Sequence, residues 1–121
     1  MSADGPGAAF LLVSPVSSRL VLSGEVDVSL TQELTEATGE AQRRGLPVEI
    51  DVRNVTFMDS SAMAMLARLA YQVPERLTFI QPPDVVRFLL DVTALHELVD
   101  VVEEDPGFAE HLPTQGAEAS A

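Results

Sequence analysis

No cysteine, tryptophan or lysine occurs in the 121 residues. Without thiols there is no disulfide framework, no thiolate zinc site and no cysteine nucleophile. Without lysine there is neither the cation of a phosphate-binding loop nor any Schiff-base chemistry. All seven cations are arginines, at Arg19, Arg43, Arg44, Arg53, Arg68, Arg76 and Arg87; a GC-rich coding bias accounts for that uniformity, which by itself implies no mechanism. Against 19 acidic residues they leave a formal charge of -12, a field that repels phosphate backbones and anionic lipid and argues against nucleic-acid or membrane partners. No apolar run approaches the ~20 residues of a bilayer span, and the first ten residues carry no basic n-region. A cytoplasmic protein is the expectation.

What is present suits one small domain: 46% of the residues are hydrophobic and 21% charged, enough for a core of its own. Residues 1–8 and 106–121 are small and polar or acidic without periodicity and read as tails, the second with one short helix over Gly107 to Leu112. Residues 9–105 carry the pattern. Ala9 to Val13 and Arg19 to Ser23 read as strands joined at Ser14 to Ser18 in a hairpin, the second ending at Gly24. Leu30, Leu34, Ala37 and Ala41 recur at helical spacing, with Ser29 as candidate N-cap, Gln32 three residues on, and Gly45 as the stop.

Val48, Ile50 and Val52 alternate as a third strand, followed by a turn over Arg53 to Thr56. Ser61 to Gln72 is helix-prone, with Ala62, Met65, Leu66 and Leu69 on one stripe and Arg68 and Tyr71 opposite. Leu77 to Ile80 is a strand; Pro82-Pro83-Asp84 opens a helix through Val85, Phe88, Leu89 and Val92; Leu98 to Val102 is the last strand. Helices between successive later strands imply an α/β fold. Right-handed crossovers place them on one face of a mostly parallel or mixed sheet of about five strands led by the hairpin.

The segment Val55 to Met63 lies where a strand gives way to a helix and ends in two hydroxyls beside a carboxylate. Free backbone N–H groups at such a helix start accept an anion, so a phosphate esterified on Ser60 or Ser61 would be held there. Equally, Asp59 or Ser60 reads as an ordinary N-cap. His96 and His111 have no His or Cys neighbours in sequence, so no metal site is expected. No Gly-x-Ser-x-Gly elbow supports a hydrolase, so the reading is of no catalytic residue and no enzyme. The run Glu103-Glu104-Asp105 reads as a solvated face, and Met63, off the main stripe, as a partner contact.

Phe57-Met58-Asp59-Ser60-Ser61, with the apolar helix that follows, resembles the signature of the STAS domain, specifically of bacterial anti-sigma factor antagonists. Leu22-Ser23-Gly24-Glu25-Val26-Asp27 is similar to the family's second strand and acidic turn, and Val86 to Leu95 to its third helix and the turn after it. The likeness spans Phe10 to Asp105. It implies a partner-switching protein: the unmodified form binds an anti-sigma factor that is also a serine kinase, freeing a sigma factor, and phosphorylation blocks that binding until a serine phosphatase resets it. Carried over by position, Ser61 is the phosphoacceptor, with Ser60 the alternative. Gly24, Glu25, Asp27, Asp59, Ser60, Ser61, Ala62 and Met63 form the docking surface. No cofactor is implied for this chain, since ATP belongs to the kinase, and the expected state is a monomer or weak dimer. Ala62 and Ala94 stand where the family usually has glycine, and the second helix with its following loop is a few residues short. A STAS scaffold or transporter-accessory module that works without phosphorylation is the alternative reading.

Overall fold

The computed structural model describes residues 6–108. Strand β1 (Ala8–Val13) and strand β2 (Ser18–Val26) pair antiparallel, from Ala8 opposite Ser23 to Val13 opposite Ser18. Helix α1 (Thr31–Arg44), strand β3 (Val48–Met58), helix α2 (Ser60–Gln72), strand β4 (Leu77–Ile80), helix α3 (Asp84–Val92) and strand β5 (Val99–Val102) follow. The sheet runs in chain order, β1-β2-β3-β4-β5, and every pair after the hairpin is parallel. The expected mixed five-stranded α/β sheet is the fold observed.

The hairpin turn is built from short polar side chains. Ser14 Oγ accepts from the N–H groups of Val16 and Ser17 at 3.2 and 3.0 Å, an arrangement serine adopts readily in turns. From the last turn of α1, Arg44 donates to Ser18 Oγ at 2.7 Å and to the carbonyls of Ser17 and Ser14. The turn is thereby tied to the helix that crosses behind it.

Alternation along the strands sends Leu20, Leu22, Ile50, Val52, Leu77 and Phe79 to one face, where they meet Leu34, Ala37, Ala41, Leu66, Leu69, Val86 and Leu90 from the helices in one apolar cluster. The stripes expected on the first two helices are buried as expected, apart from Met65, which is only half-buried. On α3 the inner residues are Val86 and Leu90, whereas Phe88 and Val92 are 64% and 60% exposed. Asp84, Arg87 and Asp91, spaced by three and four, mark the outer side of that helix, and Phe88 and Val92 lie next to it while Val86 and Leu90 face the sheet.

The face away from the helices carries charge. Register sets Arg19 beside Glu49, and Val21 beside Asp51. Arg19 is only 4% exposed. It donates to Glu49 at 2.8 Å and to the two oxygens of Asp105 at 3.2 and 2.9 Å, and it lies 5.1 Å from the centre of the Phe108 ring. Arg53 grips Asp51 through two bonds of 3.0 and 2.9 Å and reaches Asp105 at 2.5 Å. The acidic run read as a solvated face is therefore partly structural: Asp105 bridges two arginines, and Glu103 pairs with Arg87 at 2.6 Å. A buried guanidinium demands such partners, and only the folded sheet brings them together.

Other expectations shift for local reasons. The turn expected over Arg53 to Thr56 is strand: β3 continues to Met58 because β2 continues beside it to Val26, with register shifts between Val21 and Ser23 and between Gly24 and Glu25. Pro6 to Ala8, assigned to a tail, lie against β2: Pro6 bridges Glu25, and Ala8 opens β1. Gly107 and Phe108 are not helical, and the rest of the helix expected over Gly107 to Leu112 lies outside the described residues, as does His111. The edge strand β5 is short, and Arg76 donates to Val99 O at 2.8 Å and to Asp100 at 3.0 Å, a charged cover that discourages edge pairing.

Two measurements check this account. Ala94 sits at φ 59°, a left-handed conformation that costs a residue with a Cβ about 1–2 kcal/mol. Ala94→Gly, after the greater chain entropy of glycine is subtracted, is expected to raise stability by about 0.5–1 kcal/mol in urea titrations. Hydrogen bonds from Arg19 and Arg53 and from the Gly107 N–H hold the Asp105 carboxyl well below the usual carboxylate range. With a folded pKa below the unfolded one, its contribution is complete above about pH 4 and lost as the pH falls through the folded value. Asp105→Asn is expected to flatten the acid limb of the urea midpoint against pH; an unchanged limb would refute the clasp.

Candidate functional site

The pairing of β2 with β3 determines what meets at the end of the sheet. Val26 lies beside Met58, and the N–H of Asp59 donates to Val26 O at 3.2 Å. The two strands thus release their chains side by side into acidic residues, Asp27 and Asp59. Each carboxylate then caps a helical turn. Asp27 accepts from the N–H and Oγ of Ser29 at 3.0 and 2.7 Å, opening the 3₁₀ turn Val28–Leu30 that leads into α1. Those bonds, the hydroxyl's first, lower the Asp27 pKa. Ser29, expected as the cap, is instead the residue being capped.

At α2 the cap is Asp59, in extended geometry, whose Oδ1 accepts from the Ala62 N–H at 2.9 Å and from Ser61 Oγ at 2.7 Å. Ser60 and Ser61 are both exposed in the first turn. The hydroxyl of Ser61 therefore stands in solvent at the positive end of a 13-residue helix, beside a carboxylate that orients it.

Five of the residues assigned to the docking surface share this rim: Glu25, Asp27, Asp59, Ser60 and Ser61 are exposed or half-buried. The other three are not surface groups, and they correct the sequence reading. Met63 is 1% exposed and Ala62 2%. Positions two and three after Ser60 point down into the cluster, because α2 buries a broader arc than the stripe counted along its length. Gly24 is buried as well. At its φ of 68° a Cβ would approach Pro6 O to 2.6 Å, so glycine here serves the close crossing of the N-terminal segment.

Ala62 has a second consequence. Its methyl group is packed inside, so the departure from the family's glycine leaves the surface around Ser61 unchanged. Two neighbours escaped the sequence reading, Val28 at 67% and Phe57 at 46% exposure. Their apolar character suggested burial, and no local signal shows that β3 turns Phe57 outward beside Glu25. Among the described residues no group of three or more His, Cys, Asp or Glu side chains could hold a metal ion. No helix among them is long and apolar enough to cross a membrane.

Burial and capping make opposite demands on variants. Met63→Ala is expected to lose about 2–4 kcal/mol of unfolding free energy, as a core truncation does. Asp59→Ala is expected to lose about 1 kcal/mol through the cap. A Met63→Ala protein as stable as wild type in chemical denaturation would place that side chain outside the core.

Comparisons with known proteins agree with the architecture. A crystal structure of an anti-sigma factor antagonist from Mycobacterium paratuberculosis superposes with a TM-score of 0.73 at 20% identity, covering 94% of this chain and 97% of that one. The unphosphorylated form of the anti-sigma factor antagonist SpoIIAA gives 0.63 at 19% identity over 81% of this chain and 90% of that one. A Thermotoga maritima structure gives 0.60 at 12% identity over 79% and 86%. At these identities the likeness establishes the fold. No curated protein matches the sequence. Residues 10–101, from β1 to β5, match the family model described as "Mlab, STAS domain"; the chain belongs to the STAS domain family.

Proposed function

We propose that the chain is an anti-sigma factor antagonist switched by phosphorylation of Ser61. Unmodified, it docks through the rim formed by Glu25, Asp27, Asp59, Ser60 and Ser61 on an anti-sigma factor that is also a serine kinase, and a sigma factor is released. Phosphorylated, it no longer docks, and a serine phosphatase restores it. ATP is bound by the kinase, and this chain supplies only the acceptor hydroxyl. The observation that carries the reading is the exposed Ser61 hydroxyl, held 2.7 Å from Asp59 at the start of α2.

The chemistry of that contact accounts for a switch without refolding. Phosphorylation removes the proton that Ser61 donates to Asp59 and adds about -1.5 to -2 charge beside the carboxylate. At ~6 Å and an effective dielectric of ~20 the repulsion is a few kcal/mol. A phosphoserine side chain turned away from the Asp59 carboxylate reaches across the surface a partner would cover. Since 1.4 kcal/mol is tenfold in affinity, about half of that repulsion felt at a docked interface weakens binding ~10-fold or more. The methyl of Ala62, where the family usually has glycine, is buried, so it leaves a kinase's approach to Ser61 uncrowded, which supports the phosphorylation reading over the scaffold.

Incubation with the cognate kinase and ATP is expected to add one phosphate, and Ser61→Ala to prevent it, as read by intact mass. Ser61→Asp is expected to bind the unloaded kinase at least ~10-fold more weakly than wild type. Full phosphorylation of Ser61→Ala would move the acceptor to Ser60 or elsewhere. A protein that binds its partner equally well before and after modification would return the chain to the scaffold reading.

A further inference from the structure

Six of the seven arginines are engaged within the fold. Arg19, Arg43, Arg53, Arg76 and Arg87 pair with carboxylates, and Arg44 holds the hairpin turn. Arg68 is the exception: it is exposed and makes neither a hydrogen bond nor an ion pair with another described residue. In a chain with 19 acidic residues, carboxylates are plentiful, yet none of the described ones is set against it.

Arg68 stands on the wall of a groove of about 190 Å³ between α1 and α2, lined by Thr35, Gly39 and Gln42 from the first helix and Met65, Arg68 and Gln72 from the second. That volume is below the ~300–1,000 Å³ of ordinary small-molecule sites, so the groove suits one inserted side chain better than a metabolite. Gly39 leaves it open, since a Cβ there would meet nothing nearer than the Arg43 guanidinium at 3.4 Å. The acids of α1 keep away from it: Glu33, Glu36 and Glu40 line the opposite edge of that helix, facing β1.

Position ties the groove to the Ser61 rim. Ser61, Met65, Arg68 and Gln72 are spaced by four, three and four, one continuous stripe of α2. Seven residues at 1.5 Å put Arg68 about 10 Å along the axis from Ser61. An ordinary interface covers about 800 Å² per partner, a patch roughly 30 Å across if round. A protein centred on Ser61 therefore also covers Arg68. The covered surface is bipolar, acidic at Asp27 and Asp59 and cationic at Arg68.

We propose that the groove between α1 and α2 is a second docking point for the partner protein that binds at Ser61, and that it receives an aspartate or glutamate side chain of that partner, paired with the Arg68 guanidinium. This inference rests on the docking role assigned to the Ser61 rim. The contact is independent of phosphorylation. It sets the direction in which the partner lies along α2, and it discriminates among related partners by whether they carry a carboxylate at that distance from the surface that meets Ser61.

The test is a calorimetric titration of the full unphosphorylated chain into a kinase-type anti-sigma factor from the same genome, at low and high salt. Arg68→Ala is expected to weaken binding several-fold and Arg68→Glu by roughly 10-fold or more, since like charges then face each other. Arg68→Lys should keep most of the affinity. Glu36→Gln, on the far edge of α1, should stay within about twofold of wild type, and the salt dependence should be shallower for Arg68→Ala. The three Arg68 variants should melt as wild type does, because Arg68 makes no polar contact with another described residue. Arg68→Glu binding within about twofold of wild type overturns the second docking point while leaving the Ser61 rim in place. A wild-type chain that binds no such kinase overturns the docking role itself, and this inference with it.

Discussion

The hydrogen bond from the Asp59 N–H to Val26 O, at 3.2 Å, is the last rung of the parallel pairing between β2 and β3, and the surface chemistry of this protein depends on it. It makes two strands that end 32 residues apart, at Val26 and Met58, deliver their chains to one place. Each chain then begins a helical turn with an aspartate. Parallel strands must be connected by crossovers, and here the crossover is α1 itself, so both caps lie at the same edge of the sheet. The register shifts near Ser23 and Gly24 allow β2 and β3 to stay together that far.

The helix-free face is governed by a different constraint. A central strand of a parallel sheet is normally apolar on both sides, whereas β2 carries Arg19 and β3 carries Glu49 and Asp51. These charges are tolerated because they satisfy one another and because Asp105, Gly107 and Phe108 close over the arginine. Burial disfavours the charge on Arg19, and the bonds to Asp105 and Glu49 more than restore it, so its pKa lies above the usual value. The segment after β5 is thus part of the fold through charge, while the helical face is held by apolar packing.

Much of the architecture was legible in the residue pattern. The period-two runs around Leu20, Ile50 and Phe79 and the helical stripes of Leu34 and Leu66 each report a local geometry. The order of elements with right-handed crossovers then leaves little choice of topology. The Asp59-Ser60-Ser61 run was equally readable, because capping is a matter of three or four consecutive residues. What escaped was facing and partnership. Phe88 and Val92, read in the apolar run of the third helix, lie outward, and Met63, read as a partner contact, lies inward.

The sequence by itself determined the strands, the helices, their order and the hydroxyl beside a carboxylate at the start of α2, since each depends on neighbours within one or two turns of chain. Only the tertiary structure decided that the chain leaving β2 toward Asp27 is bonded to Asp59 at the end of β3, that the N-terminal segment crosses close over Gly24, and that Asp105 bridges Arg19 and Arg53. Those are contacts between residues distant in the chain, and they exist only once strand register and helix rotation have been selected by the shared core.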